Sequence, residues 1–99
     1  MFRHVVLLRW TPEATTADQE ALAEALGRLP DAIPAIRAYR FGPDAGLSGE
    51  NFDFAVVADF ADAEGYELYR DHPAHRAVIA ERIRPIVAER VAVQFPFDG

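Results

Sequence analysis

Two segments of this chain would be apolar on both faces if extended, and that most limits what it can fold into. Residues 2 to 10 carry Val5, Val6, Leu7 and Leu8 in unbroken succession. Residues 52 to 60 place Phe52, Phe54, Val56, Ala58 and Phe60 on one parity, with Ala55 and Val57 on the other. Side chains alternate along a strand, so a continuous apolar run has to be covered from both sides. At 99 residues the chain has material for one domain, residues 1 to 99. Its 51% hydrophobic content suits a packed core and excludes disorder.

The rest of the chain supplies the other elements. Thr16 with Gln19 predicts a capping box. Leu22, Ala25, Leu26 and Leu29 then recur at helical spacing until Pro30. Residues 31 to 34 are a connector with room for one helical turn, and residues 35 to 41 predict a second strand. Residues 42 to 51 hold three Gly and one Pro and read as a loop. Asp62 caps a helix running to about Arg70, and Pro73 opens another. His75, Val78, Ile79, Ile83 and Ile86 form its inner stripe, and Pro85 bends or ends it. Residues 90 to 97 predict a last strand with Val91, Val93, Phe95 and Phe97 on one face.

Strand, helix, two strands, helices, strand is the split βαβ order. It predicts an α+β, ferredoxin-like βαββαβ protomer: a four-stranded antiparallel sheet with helices on one face. The helices can hide only that face. A second copy of the same sheet is the simplest cover for the other, which predicts a homodimer joined through its sheets into an α/β barrel.

With no Cys, disulfides and thiolate chemistry are excluded. A net charge of -6 argues against nucleic acid as a partner. No apolar run approaches the roughly 20 residues of a membrane span. The first residues lead into a strand without a leader-like apolar stretch, so a soluble, cytoplasmic protein without membrane contact is expected.

Two of the three His lie in the segment Tyr69-Arg70-Asp71-His72-Pro73-Ala74-His75. His75 falls in the first turn of its helix and on the apolar stripe. Burial and the positive helix end both disfavour imidazolium. A neutral His75 can act as a base, or pack and bond a backbone carbonyl; the sequence leaves both open. Tyr69 lies six residues earlier, where the corner at Pro73 could bring its hydroxyl toward the imidazole. His4 shares a strand face with Val6 and Leu8, either in that same space or as a core histidine. His72 reads as a helix cap. His72 and His75 lack a third ligand, so neither metal nor other cofactor is expected.

Several of these residues carry a family resemblance. His4 to Leu8, Leu29-Pro30, Ile33-Pro34, the strand from Phe52 to Phe60, and Tyr69 with His72-Pro73-Ala74-His75 resemble the stress-responsive dimeric α/β-barrel (Dabb) family over nearly the whole chain. The resemblance implies the dimeric barrel. It also aligns Tyr69, His75 and His4 with the essential Tyr and His and the strand-one pocket His of the family's plant olivetolic acid cyclase, a cofactor-free aldol-condensing enzyme. The chain departs from that enzyme at Phe54, where the cyclase has a pocket His, and at Leu22, Ala23 and Leu26, where it has aromatics.

Three functions follow as expectations. One is a non-catalytic, stress-responsive member binding a small hydrophobic ligand. Another is a polyketide cyclase-like enzyme acting on a poly-carbonyl substrate. There His75 takes a proton from carbon, and Tyr69 bonds the enolate or holds His75. The third is cofactor-free oxygenation or haem handling. The expected pocket wall is His4, Val6, Leu8, Leu26, Phe54, Val56, Val78, Ile79 and Val93, gated by the loop 42 to 51.

Overall fold

A computed structural model describes all residues from Met1 to Gly99. Four strands, β1 (Phe2–Trp10), β2 (Ala38–Pro43), β3 (Phe54–Phe60) and β4 (Val87–Pro96), form one sheet in the order β2-β3-β1-β4. Every neighbouring pair is antiparallel. The two doubly apolar segments are therefore the two central strands, where both edges are paired and both faces need cover.

The helices pack on one face. α1 (Thr16–Gly27) follows β1, and the single turn α2 (Leu29–Ala32) follows α1. α3 (Ala63–Asp71) and α4 (Pro73–Val78) follow β3, and a π-helical turn (Ile79–Ile83) extends α4. The α1 cap is one residue earlier than the sequence suggested. Thr15 Oγ1 accepts the Asp18 N–H (3.1 Å) and the Asp18 carboxylate accepts the Thr15 N–H (3.0 Å). The shorter Asp can close this reciprocal box as Glu or Gln does. Pro30 does not simply end α1. It sits in the first turn of α2, where its missing N–H costs nothing. His72 caps α4, its Nδ1 accepting the Ala74 N–H at 3.0 Å.

The π turn has a local cause. Pro85 cannot donate to the Glu81 carbonyl, and its ring crowds that oxygen. The helix widens instead, and Arg84 N–H reaches back five residues to the Ile79 carbonyl (2.9 Å).

Register decides which residues meet the helices. Across the sheet, Tyr39, Ala58, His4 and Gln94 form one row, and Phe41, Val56, Val6 and Ala92 the next. These rows face the helices, and the core lies between them and Leu22, Leu26, Leu29, Ile33, Tyr69 and Val78. The intervening rows, Arg40-Val57-Val5-Val93 and Gly42-Ala55-Leu7-Val91, carry the opposite face. No helix covers it. Val91, Val93 and Phe95 remain 41%, 57% and 41% exposed. No helix of the structure is long and apolar enough to cross a membrane.

Candidate functional site

The helix-facing rows do not fill the space beneath α3, α4 and the π turn. A cavity of about 560 Å³ remains, within the roughly 300–1,000 Å³ of small-molecule sites. His4, Val6, Leu8 and Val56 form its sheet side. Leu26, Tyr69, His75, Val78 and Ile79 stand on its helical side.

His75 is held by two contacts. Its ring stacks on Tyr69 with centroids 4.0 Å apart. Its Nδ1 lies 3.2 Å from the Arg70 carbonyl oxygen. A carbonyl only accepts, so Nδ1 carries the hydrogen and Nε2 keeps a free lone pair. Burial holds its pKa below the ordinary histidine value. The Arg70 carbonyl opposes that shift, and the charges of Arg90 and His72 reinforce it. Neutral imidazole is thus favoured at pH 7, with a basic nitrogen available.

His4 has the complementary tautomer. Gln94 Nε2 donates to His4 Nδ1 at 2.8 Å, so the His4 hydrogen is on Nε2. Burial pushes its pKa down to about 4, helped by the charges of Arg90 and His75. Its ring lies 4.8 Å from Tyr66 and 6.4 Å from Tyr69, centroid to centroid. One cavity therefore holds one neutral imidazole able to accept a proton and one able to donate a hydrogen bond.

The Tyr69 hydroxyl does not reach the imidazole. It bonds Tyr39 Oη at 2.7 Å, while the ring face takes His75. Burial pushes Tyr39 up to about 12 and raises Tyr69 as well, where the neighbouring Tyr39 adds to the effect. Both hydroxyls therefore stay protonated. Two O–H groups share one hydrogen bond, so one hydroxyl hydrogen of the pair is left over, and both residues line the cavity. Tyr39 was not among the residues expected from sequence. Its only signal was parity: with Phe41 it marks the inner face of β2, which register places in the His4 row.

Two expected wall residues lie elsewhere. Val93 pairs with Val5 on the opposite face, and the inward residues of β4 are Arg90, Ala92 and Gln94. Apolar character suggested the wrong parity, because the uncovered face is the greasier one on this strand. Phe54 faces the helices but packs between Trp10 and Phe41, with centroids 5.7 and 6.4 Å away, as solid core. The loop 42 to 51 does not border the cavity either; it flanks a separate depression beside Leu7 and Phe52. No group of three His, Asp or Glu is arranged to hold a metal ion.

Comparison with known proteins places the fold. A dimeric ferredoxin-like protein of unknown function from Thermobifida fusca is 48% identical, with a TM-score of 0.90 over 97% of this chain and 90% of that one. A hydroxynitrile lyase from Passiflora edulis is 17% identical, with a TM-score of 0.84 over 98% of this chain and 93% of that one. A Dabb family protein with a ferredoxin-like fold from Mesorhizobium loti is 20% identical, with a TM-score of 0.80 over 99% of this chain and 97% of that one. No curated protein matches the chain. The model of the stress responsive A/B barrel domain matches residues 2–97, and with nearly every residue accounted for, the chain belongs to that family, Dabb.

Proposed function

We propose that the cavity binds a small, largely apolar carbonyl compound and that His75 Nε2 takes a proton from the carbon beside the carbonyl, without a cofactor. The observation that carries this reading is the bond from His75 Nδ1–H to the Arg70 carbonyl. It fixes the tautomer, leaves Nε2 unprotonated, and acts on a ring that burial already keeps neutral. When the C–H bond breaks, its proton goes to Nε2 and its electron pair becomes an enolate. The developing oxyanion needs a hydrogen-bond donor, and two are at hand: His4 Nε2–H and the spare hydroxyl hydrogen of the Tyr39–Tyr69 pair. The enolate carbon can then attack a second carbonyl of the same molecule, closing a ring as in a cyclase. Return of the proton from Nε2 to the new alkoxide resets the site. In this reading Tyr69 has two parts: its ring positions His75, and its hydroxyl belongs to the pair that supplies the second donor.

The protein works as a homodimer through the uncovered sheet face. The exposed Val91, Val93 and Phe95 support this, and so does the dimeric state described for the Thermobifida fusca protein.

Exchange of the α-hydrogens of 2-octanone in D2O, followed by proton NMR, tests the chemistry. Wild type should accelerate exchange and His75→Ala should lose about 100-fold or more. The rate should hold below pH 6.5 and fall as His75 protonates, since its pKa is lowered. Exchange that is absent, or unchanged in His75→Ala, overturns the catalytic reading. Ligand binding without turnover, the first expectation from sequence, would then describe the same cavity.

A further inference from the structure

The mouth of this cavity is charged unlike the rest of the molecule. Arg70, Arg76, Arg84 and Arg90 line it, and Asp71 is the one acidic residue in the lining. Four guanidiniums against one carboxylate stand in a chain whose net charge is -6. Arg70 is neutralised, donating to Asp71 through bonds of 2.9 and 3.0 Å. The other three belong to none of the four ion pairs in the chain.

Arg76 and Arg84 belong to one continuous helix, α4 with its π turn and the cap that ends it, and Arg90 comes from β4. Bringing Arg90 to the same cavity is set by tertiary structure, not by the composition of one exposed helix. Arg90 is the most telling. It pairs with Leu8 and so stands on the helix-facing side of β4, while its apolar neighbour Val91 faces away. Its charge reaches both imidazoles and Tyr69. Beneath these cations the wall is aliphatic, with Val6, Leu8, Leu26, Val56, Val78 and Ile79. A compound that fits both zones is apolar along its length and negative at one end.

We infer that the ligand is an organic anion, its apolar body in the cavity and its carboxylate or phosphate held at the mouth by Arg76, Arg84 and Arg90. This rests on the reading of the cavity as a small-molecule site and adds the class of molecule. Guanidinium forks match both head groups in geometry, so the shared feature is the oxyanion.

Calorimetry with octanoate, octyl phosphate and 1-octanol separates the possibilities. At low salt, at least one of the two anions should bind about tenfold or more tightly than the alcohol, the effect of one charge-assisted hydrogen bond. Whichever binds more tightly names the head group. The double variant Arg84→Gln/Arg90→Gln should lose that advantage while keeping its affinity for octanol. Circular dichroism checks its fold, and the single variants serve should the double one not fold. If octanol binds wild type as well as both anions do, the anion inference falls and the binding site stands. If none of the three binds, both fall. Anion preference that persists in a His75→Ala variant, with proton exchange unaffected, overturns only the proposed chemistry.

Discussion

At the scale of single residues, the site is a set of neutral groups held neutral by burial, and that leaves a mark on stability. His4 titrates near 6.5 when unfolded and near 4 when folded. Between those values the unfolded chain binds the additional proton. Stability therefore falls as pH drops from about 6.5 to about 4, by about 3 kcal/mol once below both. Asp59, held low by its two bonds to Arg3 (2.7 and 2.9 Å), loses its contribution only at more acid pH, as its folded-state value is passed. Chemical denaturation at a series of pH values should show both windows, and His4→Gln should flatten the upper one. A slope that His4→Gln leaves unchanged would mean that the ring is not buried neutral. The tyrosine pair makes a second mark. Tyr39→Phe strands the buried Tyr69 hydroxyl and should cost about 1–2 kcal/mol, and the double variant Tyr39→Phe/Tyr69→Phe should cost less than the two singles summed. The residue pattern showed His75 on an inner stripe, because helical spacing is local. It could not show Tyr39, whose partner lies 30 residues away.

At the scale of elements, the sequence order carried through because each element has its own period. β3 begins at Phe54, two residues after the predicted 52, because Asp53 turns its carboxylate to the Trp10 N–H, and β2 runs on through Gly42 and Pro43 of the predicted loop. Boundaries moved where partners set them. β4 begins at Val87, before the predicted residue 90, because Trp10 pairs there beyond a bulge that leaves Ala88 of β4 without a partner on β1. β2 begins at Ala38, the first residue in register with β3, where it pairs with Asp59. Strand parity says which residues share a face, never which face is inward, and Val93 shows the difference. The cap of α1 gives a clean test of one such boundary. Thr15→Ala should cost about 1 kcal/mol by loss of the bond to Asp18 N–H, whereas Thr16→Ala should stay within about 0.5 kcal/mol. Thermal melts of the two variants check this, and equal losses would place the cap elsewhere.

At the scale of the whole molecule, the uncovered sheet face returns to the constraint with which the sequence began. The protomer measures 36 × 28 × 17 Å. Its broad side offers more than the roughly 800 Å² per partner of a standard interface. That side bears Val5, Leu7, Val57, Val91, Val93 and Phe95 in adjacent rows. Arg3 lies at one end, paired with Asp59 and 4.5 Å from the Phe97 ring centre, so the charges there are already satisfied within one chain. In a symmetric dimer each substitution counts twice. Val93 is on an edge strand and 57% exposed, so Val93→Asp should fold. Losing a buried valine on each side is worth about 3 kcal/mol or more in total, or at least about 100-fold in dimer affinity. Sedimentation of wild type should therefore give twice the 11.0 kDa chain mass, and Val93→Asp should shift to monomer at the same concentration. A wild-type monomer at about 100 μM, where pairs weaker than about 8 kcal/mol of binding free energy would still associate in part, leaves the central strands covered on one side only. The reason for their double apolar run would then have to be sought in a different partner.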